Sequence, residues 1–316
     1  MRKKILFSIL ILFLLITPLF SWSAHKEMTQ IILEEFPWLR KFDNITVTPY
    51  TYNDPSPYNP SYVIQYRGEK IGDKISAITI ITRYVEEPDN GMDENLNLSP
   101  FQKLMGGSSG WRHMYFIAFS GALKLGEAPK RCLHFWNLAK EAFQRKDYYW
   151  GFRFFAYSLH YLQDLSMPFH AYPMPLKNVA LNIINLDKLI SQGENHHYVL
   201  EAYQEYQVKN KNPKYIKVLK EANPLEIKNP EEAAEKAAWL SRDFMGRLWD
   251  LQIKYYGHDI NNKKNFKADP RLFSFKYASP IKDEYDKTIL QALELCAGWT
   301  KGYLNFLKDF LNKLEG

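Results

Sequence analysis

The sequence SLHYLQDLSMPFHA, residues 158–171, places polar side chains at regular positions in an otherwise apolar segment. Residues four apart lie on one face of an α-helix, so His160 and Asp164 can present an imidazole and a carboxylate to the same point. Pro168 lacks a backbone N–H and disfavours helical conformation in the residue before it. We therefore expect the helix to end near Met167 and His170 to approach from another direction.

A second pair with the same spacing follows. His197 and Glu201 lie four residues apart in a segment that also has helical periodicity. Taken alone, either pair is also explained by a hydrogen-bonded histidine beside a carboxylate on a solvated helix face. Two such pairs, together with His170, His25 and His113, favour a multinuclear metal site.

Composition and charge define the class of protein. The chain has 316 residues, of which 46% are hydrophobic and 24% charged, which is typical of a folded chain near the upper size of one domain. The formal net charge of +6 includes Arg2, Lys3 and Lys4; without these three it is +3. This excess does not indicate a stable nucleic-acid partner. We expect a monomer.

The N-terminus reads as a secretory signal peptide over residues 1–21. Basic residues precede an uncharged run from Ile5 to Ile16, and Thr17 and Pro18 then interrupt it. The run is shorter than the roughly 20 apolar residues that cross a bilayer. We therefore expect a secreted or periplasmic protein. Export permits a disulfide between Cys132 and Cys296, but two buried free thiols fit the sequence equally well.

Helical periodicity dominates the rest of the chain, and strand-type alternation is scarce. We predict one all-α domain over residues 22–316. Two polar segments, 43–66 and 90–110, read as loops, and the tyrosines of the first could rim a substrate cleft. The predicted helical segments are 25–36, 71–85 (where a strand is the alternative), 111–164 with breaks near 126–129 and 145–147, 175–191, 195–209, 229–252 and 283–313.

Several segments resemble the zinc-dependent phospholipase C family, which shares its fold and metal site with the S1/P1-type nucleases. Residues 158–171 are similar to that family's SLHYLGD and PxHA core, and residues 194–201 (ENHHYVLE) to its HxxxE element. Residues 229–232 (NPEE) resemble a helix start and residues 297–303 (AGWTKGY) the closing helix. Trp22-Ser23-Ala24 resembles the mature N-terminus. The resemblance implies an all-α fold of the phospholipase C/P1 nuclease type.

The resemblance also implies three zinc ions. Their ligands would be Asp89, His113, His160 and Asp164 for the first ion, Trp22 (through its α-amino group and carbonyl oxygen), His25 and the bridging Asp164 for the second, and His170, His197 and Glu201 for the third. Asp93 is an alternative to Asp89. Imidazoles and carboxylates also bind manganese or iron, so zinc comes from the resemblance and not from the spacing.

The implied activity is that of an exported phosphodiesterase that hydrolyses phospholipid to diacylglycerol and a phosphorylated head group, with transient contact to a membrane surface. Two cations that share a carboxylate can lower the pKa of a bound water to near 7, and a third can neutralise the phosphate. Asp89 is the expected catalytic residue, as ligand or as general base toward that water. The alternatives are a single-strand nuclease or 3′-nucleotidase of the same fold, and a non-catalytic metal-stabilised binding protein.

The signal-peptide cleavage site has two alternatives. Small residues at −3 and −1 are supplied by Ser21 and Ser23, which would place the cut before Ala24. Cleavage before Trp22 places Leu19 at −3 but frees the amine that the resemblance implies as a ligand. We prefer the second alternative, and N-terminal sequencing of exported protein distinguishes the two.

Overall fold

The structure is a computed structural model that describes residues 24–54, 62–94, 96–99, 107–118, 121, 123–172, 174–175, 177–179, 185–274 and 276–316. The predicted signal peptide and Trp22 lie outside these ranges. The described chain is all-α, as predicted, with two short antiparallel strand pairs. No helix in these ranges combines the length and the hydropathy that a bilayer span requires.

Thirteen α-helices have both ends within the described ranges. They are α1 His25–Leu33, α2 Ala77–Tyr84, α3 Gly107–His113, α4 Ala128–Gln144, α5 Tyr148–Leu165, α6 Pro168–Ala171, α7 Leu186–Lys209, α8 Pro213–Glu221, α9 Pro230–Ser241, α10 Met245–Tyr256, α11 Asp259–Asn262, α12 Pro270–Phe273 and α13 Pro280–Glu315. Pro37–Phe42 and Arg242–Phe244 form 3₁₀ turns, and Pro88–Met92 forms a π-type turn. The strands are β1 Ile45–Thr46 with β2 Lys74–Ile75, and β3 Phe116–Ala118 with β4 Leu123–Leu125.

Helix α5 is the centre of the packing. Its side chains are buried from Tyr149 to Leu165, because the helix is apolar on nearly every face and must be surrounded by other elements. Asp147 caps its first turn by accepting a hydrogen bond from the Trp150 backbone N–H. Helix α4 lies close beside it, since a Cβ at Gly151 would stand 2.5 Å from the Phe143 ring.

The proline turn after α5 agrees with the sequence prediction. Helix α5 ends at Leu165, Met167 is extended (φ −89°, ψ 126°), and Pro168 opens α6. Proline is tolerated there because its missing N–H has no partner in the first turn of a helix. His170 therefore comes from a separate short helix.

The predicted continuous helical pattern from residue 111 is wrong in one segment. Strands β3 and β4 form a hairpin in which Phe116 pairs with Leu125. Gly126 follows with φ +112°, and a Cβ there would lie 1.9 Å from the Met114 carbonyl oxygen. In this short stretch apolar residues fit a strand as well as a helix, and Gly126 supplies the positive φ with which the chain leaves β4.

Other element boundaries also differ from the prediction. The predicted break between helices 175–191 and 195–209 is absent, and residues 186–209 form one helix, because the cost of about 1 kcal/mol for an internal glycine is overcome by packing. Earlier in the first predicted helix, residues 177–179 are helical, and 176 and 180–184 lie outside the described residues. Helix α2 begins only after its cap Ser76, and α3 begins inside the predicted loop 90–110. Helix α8 was not predicted. The predicted helix 229–252 is divided by the 3₁₀ turn at Arg242–Phe244.

The first predicted loop packs against α5 and its cap through two of its described tyrosines. The Tyr52 hydroxyl donates to Asp147 at 2.8 Å, and the Tyr50 ring packs edge-on against Trp150. Cys132 and Cys296 are both buried and free, so the alternative of two free thiols is the observed one.

Candidate metal centre

The eight described residues that the sequence nominated as ligands come from six elements. Helix α5 supplies two of them and α7 another two, while single residues come from the first position of α1, the π-type turn, the end of α3 and α6. Their donor atoms form three groups, each within 4.8 Å: His25 with His160 and Asp164; Asp89 with His113 and His160; and His170 with His197 and Glu201. Trp22 is outside the described residues.

Asp164 stands between the groups. Its Oδ1 lies 3.2 Å from His25 Nε2 and 3.6 Å from His170 Nδ1, while its Oδ2 lies 2.8 Å from His113 Nδ1 and 3.1 Å from His160 Nε2. Burial alone would raise the pKa of this carboxyl, but the charges of His160 and His170 outweigh it and hold the pKa well below its usual range. Asp164 is therefore a carboxylate whose two oxygens face different histidines.

Asp89 and Asp93 lie at opposite nitrogens of the same imidazole. Asp89 Oδ1 is 3.4 Å from His113 Nδ1, and its Oδ2 is 3.6 Å from His160 Nε2. Asp93 Oδ2 is 3.3 Å from His113 Nε2. Asp89 thus faces the donor group, whereas Asp93 lies behind the histidine, in the position of a partner that orients a ligand ring.

The surroundings of Asp93 support that position. Its carboxylate accepts a hydrogen bond from the Tyr161 hydroxyl at 2.5 Å and lies 3.4 Å from Arg131 Nη2. Burial favours the neutral acid, but the Arg131 charge and the contact with His113 lower the pKa of Asp93. Asp93 is accordingly an ionised carboxylate at the Nε2 side of His113.

The third group is tied to the first through the backbone. His170 Nδ1 lies 3.0 Å from the His113 carbonyl oxygen and donates to it, which leaves Nε2 directed at Glu201 Oε1, 3.3 Å away. His197 Nε2 is 2.7 Å from the same oxygen. The Tyr115 N–H donates to the His170 carbonyl at 3.0 Å. The start of the β3–β4 hairpin therefore fixes α6 against the end of α3.

The donor set fits a divalent cation that prefers nitrogen and oxygen ligands. Zinc bonds of about 2.0–2.2 Å in tetrahedral geometry place ligand atoms about 3.3–3.6 Å apart. The separations from His170 to Glu201 and from Asp89 to each of its two histidines are 3.3, 3.4 and 3.6 Å. The donor chemistry matches, and these three separations lie in that range, whereas His197 Nε2 to Glu201 Oε1 at 2.7 Å and His160 Nε2 to His113 Nδ1 at 3.0 Å are closer.

The carboxylates of the cluster favour positive charge on the histidines around them. Burial by itself lowers a histidine pKa, yet the Asp89 charge and the bond to Asp164 raise the pKa of His113 well above its usual value. Asp164 has the same effect on His25 and His170. At His160 burial prevails and lowers the pKa, which keeps a lone pair available, as a metal ligand requires. Its Nδ1 is buried and has no hydrogen-bond partner within the described ranges.

His196, next to a predicted ligand, belongs to the core. Its ring stacks on Trp249 with centroids 3.6 Å apart, and its nitrogens lie 2.6 Å from Gln252 Oε1 and 3.0 Å from Asn261 Oδ1. Burial lowers the pKa of His196 to about 4. It is a neutral structural histidine, and His197 is the one that faces Glu201.

Two buried polar residues close in sequence to the ligand candidates were missed by the sequence reasoning. Glu87, two residues before Asp89, accepts from Arg153 Nη2 at 2.7 Å and from Arg153 Nε at 3.1 Å. Gln163 contacts His25. The sequence contained an indication of each. Arg153 inside the apolar helix α5 needs an acidic partner when it is buried, and the Gln163 amide next to Asp164 needs hydrogen-bond partners.

The chain has partial likenesses among solved structures. No protein-family model matches the sequence, and no curated protein sequence matches it. Among solved structures, the chain is similar to the alpha toxin of Clostridium absonum at 13% identity and a TM-score of 0.40, over 76% of this chain and 55% of that one. It is also similar to an alpha-toxin of Clostridium perfringens from an avian strain, at 16% identity and a TM-score of 0.37, over 75% and 54%. The chain spans about half the length of these toxins.

Proposed function

We propose that this protein is a metal-dependent phosphodiesterase that hydrolyses phospholipid to diacylglycerol and a phosphorylated head group. The observation that carries the proposal is the buried cluster in which His160 belongs to two of the three donor groups and Asp164 faces four histidines. His25, Asp89, His113, His160, Asp164, His170, His197 and Glu201 would hold the ions.

Bound divalent ions would supply an acidified water and positive charge for the phosphate. The chain's own residues then have separate tasks. Asp164 holds neighbouring histidines in one arrangement through its two oxygens. Asp89 is the most exposed of the eight ligand candidates, with 11% of its side chain accessible against 7% or less for the others. A carboxylate at the solvent edge can accept the proton of an attacking water.

The proposed substrate class rests on the sequence motifs that resemble those of the phospholipase family. Residues 158–171, 194–201 and 229–232 resemble the zinc-dependent phospholipases C, and this favours phospholipid over nucleic acid. Export through the predicted signal peptide belongs to the same proposal, since a secreted enzyme meets phospholipid at a membrane surface. Zinc as the resident ion also comes from the resemblance.

A substrate panel tests the proposal. The purified protein, with residues 1–21 removed and zinc supplied, is offered phosphatidylcholine vesicles, phosphatidylethanolamine vesicles and single-stranded DNA. Diacylglycerol and released nucleotides are measured in parallel. We expect diacylglycerol from at least one lipid and its loss in Asp164→Asn.

The control is Asp286→Asn, which alters another buried carboxylate, bound to the Tyr203 hydroxyl at 2.7 Å outside the donor groups. It should retain bound zinc and activity at temperatures below its melting point. Release of nucleotides without diacylglycerol would favour the nuclease instead. Bound zinc with neither product would favour a metal-stabilised binding protein.

A further inference from the structure

The Gln163 side chain is fully buried beside the metal-ligand candidates and is completely hydrogen-bonded. Its Oε1 lies 2.8 Å from His25 Nδ1. Its Nε2 donates to Thr29 Oγ1 at 2.9 Å and to Thr300 Oγ1 at 3.1 Å. With the amide in this orientation, each of its two N–H groups has one hydroxyl acceptor, and the carbonyl faces the imidazole.

This arrangement selects one tautomer of the His25 imidazole. An amide carbonyl can only accept a hydrogen bond, so His25 Nδ1 must carry a proton. In the neutral ring the lone pair is then on Nε2, which lies 3.2 Å from Asp164 Oδ1. Nε2 is the nitrogen that belongs to the group with His160 and Asp164.

The same amide also fixes the position of the His25 side chain. His25 is the first residue of α1, a position where helices fray. Thr29, one turn later on α1, and Thr300 on α13 both accept from Gln163 of α5. One buried side chain therefore links three helices at the point where His25 enters the cluster.

His25 and His113 differ in the charge of their partners. Asp93 places a carboxylate at His113, which increases the basicity of a ligand ring, whereas Gln163 orients His25 without adding charge. The resembled family motif has glycine where this chain has Gln163, so the contact is a feature of this sequence.

We propose that Gln163 is a positioning residue: it holds His25 with Nδ1 protonated and Nε2 facing Asp164, and thereby sets the affinity of the group formed by His25, His160 and Asp164 for its metal ion. The inference rests on the proposed metal centre, but its effect on His25 is measurable without any metal.

The experiment uses Gln163→Met, which removes the acceptor at similar length, and Gln163→Glu, which keeps it. The matched control is Gln204→Met, because Gln204 is also fully buried and its amide has no hydrogen-bond partner within the described chain. Zinc affinity is measured by competition with a chromophoric chelator. The tautomer of His25 is read from side-chain nitrogen NMR of the metal-free protein, at a pH high enough for His25 to be neutral.

We expect Gln163→Met to bind one of its zinc ions roughly 10- to 100-fold more weakly than the unsubstituted protein, with a mixture of tautomers at His25. Gln163→Glu should keep the Nδ1–H tautomer and bind zinc at least as tightly. Gln204→Met should change neither readout. An unchanged tautomer and unchanged zinc affinity in Gln163→Met would overturn the proposal, and so would an equal loss at every ion.

If Gln163→Met does not fold, Thr300→Val decides the question, since it removes one acceptor of the amide and leaves Gln163 in place. A weaker affinity for one ion in Thr300→Val supports the proposal, and an unchanged affinity contradicts it. Failure of the metal centre itself is a different result: the unsubstituted protein would bind no zinc, while the tautomer of His25 would still report on Gln163.

Discussion

His160 and Asp164 lie one turn apart on the central helix, and Nε2 of the histidine is 3.1 Å from Oδ2 of the carboxylate. Both side chains are almost completely buried, at 0% and 1% exposure. A histidine and a carboxylate of an apolar helix usually lie toward solvent, because burial of charge is costly. Their burial together with three further histidines is the basis of the metal-centre proposal.

The two aspartates around His113 should respond differently to substitution. Asp89→Asn removes a candidate ligand that is also the candidate general base, so we expect turnover to fall by a factor of about 10²–10⁴ with zinc retained at His170, His197 and Glu201. Turnover and zinc content are measured on the same preparation.

Asp93→Asn is the companion variant. This substitution keeps the size of the side chain but removes the negative charge behind His113. We therefore expect zinc affinity to fall by roughly 10- to 100-fold, with little loss of turnover when zinc is saturating. Equal effects of the two substitutions on turnover at saturating zinc would contradict the different places that the structure gives them.

The Glu87–Arg153 pair should contribute strongly to stability. Both side chains are buried, and Arg153 also lies 3.8 Å above the centre of the Tyr84 ring. Removing one partner leaves a buried charge uncompensated, so Arg153→Met should lower the free energy of unfolding by about 3–5 kcal/mol. Denaturant unfolding measures it.

Arg247→Met serves as the control for that variant, because Arg247 pairs with Glu284 at an exposed site, where both side chains are nearly half accessible. Arg247→Met should lower the free energy of unfolding by no more than about 1 kcal/mol. A similar cost for the two variants would show that the buried pair has no special role.

The two cysteines should be inert in the folded protein. Burial raises the pKa of both Cys132 and Cys296 to about 12, so the thiolate that reacts with alkylating agents is nearly absent at neutral pH. We expect no labelling of the native protein and two labels per chain after denaturation. One fast-reacting thiol in the native protein would contradict the burial.

Gly126 should tolerate no side chain. Its φ of +112° is unfavourable for other residues, and a Cβ would meet the Met114 carbonyl next to His113. Gly126→Ala should therefore destabilise the protein by more than about 1 kcal/mol and weaken zinc binding. Gly246→Ala is the control, since no described atom lies within 4 Å of its added Cβ and its position is helical. It should be neutral or slightly stabilising.

Local patterns were sufficient for the central helices and for most of the cluster. The four-residue spacing of His160 and Asp164, and of His197 and Glu201, depends only on helical geometry. Pro168 made the turn before His170 predictable for an equally local reason. The all-α class follows from periodicity over long segments, which is the most dependable sequence signal.

Other features depend on contacts between distant segments. The choice between Asp89 and Asp93 needed the orientation of the His113 ring, which Tyr161 and Arg131 fix through Asp93. The β3–β4 hairpin differs from the predicted helix because its short apolar segments fit either element, and the pairing of Phe116 with Leu125 is not visible in the local pattern. Gln163 was read as part of a motif, and its partners lie more than 130 residues away in both directions.

Metal content measured together with activity tests the central claim most directly. Elemental analysis of the protein purified without added chelator should give three zinc ions per chain, and Asp164→Asn should lose at least one of them together with the phosphodiesterase activity. Fewer than two tightly bound metal ions in the unsubstituted protein, or an Asp164→Asn protein with full metal content and activity, would contradict the account.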